Sequence, residues 1–187
     1  MIVSLLAFTM ALSGNDFTCP MLGSKANPNL YVDYDGLRMY VCCGGCFASM
    51  QKDPAKLYAE GVEKKATFSE SLFDPISHNR IQADKAEASS DYKGVRYYFK
   101  SNDEKAKFDA SPKTFAVVPK KESLVCAVSK EKIGSYAEAG GYADYKGVRY
   151  YFCCGDCPTE FAKDPAKYAA AVKDKVAAPA IHNEPKK

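Results

Sequence analysis

"DYKGVRYYF" occupies Asp91–Phe99 and recurs letter for letter at Asp144–Phe152, with a looser copy, "DYDGLRMYV", at Asp33–Val41. The first and last copies run directly into "CCGGC" and "CCGDC", whereas the middle one runs into "KSNDE". A module has therefore been repeated three times, and one copy has lost every cysteine. In each copy β-formers flank a two-residue Asp-Gly or Lys-Gly turn, which predicts a tight hairpin. Strand alternation then places Val148, Tyr150 and Phe152 on one face and Arg149, Tyr151 and Cys153 on the other.

The register extends beyond these nine residues. Met50, Phe108 and Phe161 align, as do Pro54, Pro112 and Pro165. Upstream, "FTCPM", "LFDPI" and "LVCAV" make Cys19, Asp74 and Cys126 equivalent. Downstream of the hairpin, Cys42, Lys100 and Cys153 correspond, then Cys43, Ser101 and Cys154, then Cys46, Glu104 and Cys157. A helix is expected from about Cys46 or Cys157, with Met50 or Phe161 facing the core. A second helical turn should follow Asp53-Pro54 and Asp164-Pro165, where Asp caps and Pro suits the first position.

The expected fold class is α+β: three tandem small modules, each a β-hairpin plus a short helix. A zinc-ribbon or treble-clef-like cysteine knuckle marks the first and third. The reading divides the chain into a signal peptide (1–13), a metal-binding module (14–66), a cysteine-free module (67–120), a second metal-binding module (121–175) and a disordered tail (176–187). "EKKATFSE" and "SKEKIGSYAEAGGYA" read as linkers or loops. Units of roughly 50 residues bury little core and usually need a metal, disulfides or mutual packing.

The opening "MIVSLLAFTMALSG" is too short to span a bilayer but suits a signal-peptide core ending in small residues. It predicts an exported protein, periplasmic or extracellular, with no stable membrane insertion after cleavage. If the stretch is not a signal, the protein is cytoplasmic. Net charge is only +3 with the two signs interspersed, which argues against nucleic acid as a partner. No Ser/His/Asp arrangement, phosphate loop or carboxylate pair stands out, so no enzyme is expected. Met50, the tyrosines of "RYY" and both histidines, His78 and His182, read as packing residues or exposed spectators.

The chemistry lies in eight cysteines, four in each of two clusters. Cys19 with Cys42-x3-Cys46, and Cys126 with Cys153-x3-Cys157, bring thiolates from three elements toward one point. A helix start favours the thiolate form, and three thiolates favour soft or borderline ions, Cu(I) or Zn(II). One ion per cysteine-bearing module is expected, held by three ligands with an open or exchangeable fourth position, for which Cys43 and Cys154 are the possible partners. A disulfide framework is the main alternative for an exported chain. Thiol exchange through Cys43–Cys46 and Cys154–Cys157 is a further one.

"YKGVRYYFCCGDC" followed by "FAKDPAKY", with Cys126 upstream, resembles the TRASH and YHS families of small heavy-metal-associated modules. The first module matches through Cys19, "YDGLRMYVCCGGC" and "KDPAKLY". The middle one, "DPISH" with "YKGVRYYFKSNDEKAKF", is similar to YHS variants that lack cysteine. The resemblance implies metal binding or sensing and assigns no reaction. The reading that follows is a protein that binds, buffers or delivers metal. A scaffold held by zinc or disulfides, and a thiol oxidoreductase, are the rivals.

Overall fold

The computed structural model describes residues 16–183, so the signal-peptide reading of 1–13 lies outside the described residues. All three hairpins form: β1 (Asn27–Tyr34) with β2 (Leu37–Val41), β4 (Ala88–Tyr92) with β5 (Val95–Phe99), and β7 (Gly141–Tyr145) with β8 (Val148–Phe152). Both central turn residues have positive φ in every copy, as at Lys93 (48°) and Gly94 (78°). That is the type I′ geometry whose twist matches a hairpin, and it explains the invariant glycine. The repeated Asp and Arg stand directly opposite each other across each hairpin: Asp33↔Arg38, Asp91↔Arg96 and Asp144↔Arg149. Each pair makes a two-pronged guanidinium–carboxylate contact.

Two short helices follow each hairpin: α1 (Gly44–Lys52) and α2 (Pro54–Glu63), α3 (Asn102–Ala110) and α4 (Pro112–Phe115), α5 (Cys157–Lys163) and α6 (Pro165–Ala170). Asp53 and Asp164 cap α2 and α6 by accepting the amides of Lys56 and Lys167, each at 3.0 Å. Met50, Phe108 and Phe161 are buried beneath their hairpins, and Phe161 lies 5.3 Å from both Tyr150 and Phe152. The architecture is mixed α+β, with small sheets and short helices.

The two stretches read as linkers are structural. "EKKATFSE" ends in β3 (Ser69–Ser71), which pairs antiparallel with β2 and parallel with β5. Strand order β1-β2-β3-β5-β4 therefore joins the first two hairpins in one sheet. Its anchor is the fully buried Phe68, and a Cβ added to Gly61 in α2 would stand 2.5 Å from that ring. Period-based reading missed this because one aromatic in a polar run carries no repeat. In "SKEKIGSYAEAGGYA", Ile133, Tyr136 and Ala139 are core residues of the third module.

A second sheet has order β6-β8-β7, with β6 (Lys121–Ser123) parallel to β8. Its outer edge is covered by the tail, where Glu122 and Ala177 exchange backbone hydrogen bonds at 2.8 and 2.9 Å. The tail continues to β1: the His182 amide donates to the Asp33 carbonyl, and the Asp33 amide donates to Asn183 Oδ1 at 2.6 Å. Residues 176–183 are thus held in place, against the expectation of a disordered tail, because they satisfy backbone groups that two strand edges would otherwise expose. The middle unit also docks on the third. The Tyr142 amide donates to the His78 carbonyl, and Phe73 packs 5.5 Å from both Tyr142 and Tyr151.

Candidate metal centres

Each site begins with a knuckle. The amides of Gly23, His78 and Lys130 donate to the carbonyls of Cys19, Asp74 and Cys126, four residues earlier. All three donors take left-handed backbone, with φ of 70°, 60° and 70°. The turn aims two successive amides at the side chain it encloses. Ile76 and Ser77 donate to Asp74 Oδ1 at 2.8 and 3.3 Å, and Lys100 donates to Oδ2. Cys126 receives the equivalent amides of Val128, Ser129 and Cys153, and Cys19 those of Met21, Leu22 and Cys42. An amide cage of this kind favours an anion.

Two further sulfurs close each triad. Cys42 and Cys153 follow the last residues of β2 and β8, while Cys46 and Cys157 lie in the first turns of α1 and α5. The three sulfurs of Cys19, Cys42 and Cys46 all lie within 4.8 Å of one another, as do those of Cys126, Cys153 and Cys157. The Cys42–Cys46 and Cys153–Cys157 separations are 3.8 and 3.9 Å. Two thiolates bound to one zinc at about 2.3 Å in tetrahedral geometry stand about 3.8 Å apart. Donor type and spacing therefore both fit a thiophilic ion.

The other two cysteines are placed differently. Cys43 and Cys154 are exposed, whereas Cys19, Cys46, Cys126 and Cys157 are buried and Cys42 and Cys153 half-buried. Cys154 Sγ is 2.7 Å from Cys157 Sγ, too close for both to be ligands of one tetrahedral ion.

Protonation does not follow the helix-start expectation. Burial pushes the Cys46 and Cys157 thiols up, and the neighbouring sulfurs add to it. Cys126 is also raised by burial, but the Ser129 hydroxyl and the caging amides outweigh this and bring it down to about 7. Cys19 is lowered in the same way, its amides opposing burial. Within each triad the thiol that is lowered thus sits on the knuckle, held by backbone amides.

In the middle unit Glu104 takes the position of Cys46, and its carboxyl is raised by burial and by the hydrogen bond and charge of Asp74. Lys100 replaces the strand-end cysteine and gives its amide to both carboxylates. Neither histidine belongs to a triad. His78 is half-buried and stacks on Tyr142 at 4.5 Å, and His182 packs edge-on against Tyr136; the expectation of exposed spectators missed these contacts. Met39 and Met50 are fully buried core residues.

The family model described as YHS domain matches residues 135–172, which covers the third hairpin, α5, α6 and the Cys153–Cys157 segment. No curated protein and no solved structure matches the chain. The stretch 135–172 is thus similar to the YHS domain, and with the two cysteine triads it supports metal binding as the chemistry of these sites.

Proposed function

We propose that this protein is exported and binds, buffers or delivers a soft or borderline metal ion, Cu(I) or Zn(II), without catalysing a reaction. Cys19, Cys42 and Cys46 hold one ion and Cys126, Cys153 and Cys157 another. The observation that carries this reading is the pair of equivalent triads, each with three sulfurs within 4.8 Å. In both, two sulfurs are buried and the strand-end one is half-buried. Buried thiolates supply affinity, and the half-buried sulfur gives a second protein a point of entry, as a site that exchanges metal requires. The arrangement of one upstream cysteine and a C-x3-C pair is also the TRASH-like feature of the sequence.

Titration of single Cys→Ser variants with Zn(II) and Cu(I) under reducing conditions tests the ligand set. Loss at Cys42 or Cys153 should weaken binding steeply, and loss at Cys43 or Cys154 much less. Equal damage at Cys42 and Cys43 would describe a closed four-thiolate site and favour the scaffold reading. Thiol–disulfide exchange at Cys154 and Cys157 is the second reading, supported by their 2.7 Å separation.

A further inference from the structure

The third module carries a groove of about 670 Å³ between its knuckle and the C-terminal tail. Leu124, Val125 and Ile133 line the knuckle side, and Ala178 and Ala180 the tail side. The rim is cationic, with Lys130, Lys132 and Lys175 contributed from both walls. Lys175 pairs with Asp174, and Lys132 has no ion pair among the described residues. Glu122, the acidic residue of the groove, is turned inward, where it accepts from the Tyr136 hydroxyl at 2.7 Å.

The groove does not end blindly. Lys132 and Ile133 also line an adjoining depression of about 350 Å³, whose other walls are Glu131, Glu138 and Cys153. An extended apolar, cation-rimmed channel therefore opens beside the half-buried sulfur of the third triad. Lysines border the apolar part, and Lys132 lies with two glutamates beside the sulfur. An occupant that matches the groove carries apolar and acidic side chains along its length.

We propose that this groove docks an acidic, apolar segment of the partner protein that exchanges metal with Cys126, Cys153 and Cys157. The proposal rests on the metal-binding reading above and adds the partner's chemistry. The lysines steer the segment and fix its direction, the apolar floor holds it, and its end brings the partner's own ligands to Cys153. A small amphipathic anion is the competing occupant.

The test uses the full reduced chain and a fluorescent, acetylated peptide of alternating Glu and Leu, read by anisotropy. Binding is expected, and is expected to weaken about tenfold when Lys132→Glu and Lys175→Glu are combined. Raising salt from about 50 to about 500 mM should weaken it as well. Lys85→Glu, on a distant surface, should leave it unchanged, and a Lys/Leu peptide should not bind. Absence of Glu/Leu binding, equal binding by all variants, or binding of decanoate without binding of the peptide would overturn the proposal. Metal content of the same samples is measured in parallel: empty triads would count against the metal reading, while the peptide result still decides the groove.

Discussion

Asp74 stands in the middle module where Cys126 stands in the third, and the two side chains receive corresponding amides. Those of Ile76, Ser77 and Lys100 meet the carboxylate, and those of Val128, Ser129 and Cys153 meet the sulfur. The knuckle is therefore a device for holding an anion, and the metal is one use of it. Losing cysteine without replacing its charge would leave three amides aimed at a neutral or empty space, each unsatisfied donor costing about 1–3 kcal/mol. The middle copy avoids this with Asp, and its knuckle serves instead to dock on the third module through His78 and Phe73.

The retained cage predicts that the lost site can be rebuilt. Combining Asp74→Cys, Lys100→Cys and Glu104→Cys restores a sulfur at each position equivalent to the flanking triads. The chain should then take up one further ion, measurable by elemental analysis of protein loaded and desalted under reducing conditions. An unchanged metal content in a folded variant would show that the middle backbone cannot present three sulfurs to one point.

The repeated Asp–Arg pairs should differ in worth although their sequences are identical. Arg149 is 8% exposed, lies 3.9 Å over the Tyr142 ring and also donates to the Val117 carbonyl. Its loss removes the bond to the Val117 carbonyl and the contact over the Tyr142 ring along with the pair to the part-exposed Asp144, so Arg149→Met is expected to cost about 1–3 kcal/mol. Arg96 is half-buried, but its partners Asp91 and Asp16 are both exposed, and Arg96→Met should cost about 0–1 kcal/mol. Denaturant unfolding of the two variants measures the difference directly.

Asp35, at the tip of the first hairpin, predicts a pH dependence. Burial pushes its carboxyl up to about 8, opposed by Arg149 and reinforced by Glu122, and Oδ1 has no hydrogen-bond partner among the described residues. Unfolded, the group ionises near an ordinary carboxylate value of about 4. Unfolding between these values releases a proton, so this group's contribution is full below about pH 4 and is lost as pH rises through 8. Asp35→Asn removes the ionisation and suits the positive φ of the turn. It should raise stability at pH 7.5 by about 1–3 kcal/mol and have little effect at pH 4, as followed by thermal unfolding at the two pH values.

The hairpins, the helix starts and the two cysteine groups were legible in the sequence because each depends on local rules. Type I′ turns need glycine, Asp-Pro opens a helix, and repeats expose equivalence. What was not legible was long-range. Phe68 in a polar run, the tail covering β6, and the packing of Phe73 against Tyr142 and Tyr151 depend on partners distant in the chain. The repeated Asp and Arg were visible as letters, but their pairing follows from register alone. The knuckle cage was hidden because its donors are backbone amides, although a carboxylate, Asp74, at the position of Cys19 and Cys126 was its trace.

Apolar burial alone leaves the outer modules small, so any ion they bind should also stabilise them, since the thiolates must be brought together only in the folded state. Adding a strong chelator should lower the unfolding temperature of the native chain. It should do so less in a Cys19→Ser, Cys126→Ser variant, whose triads are already broken. An identical response in both would mean that the stabilising ion, if any, is bound elsewhere.

Native mass spectrometry of the chain, purified under reducing conditions without added metal, tests the central claim most directly. Two thiophilic ions per chain are expected, one after Cys157→Ser and none when Cys46→Ser is added. A folded, fully reduced chain that carries no ion would contradict the account.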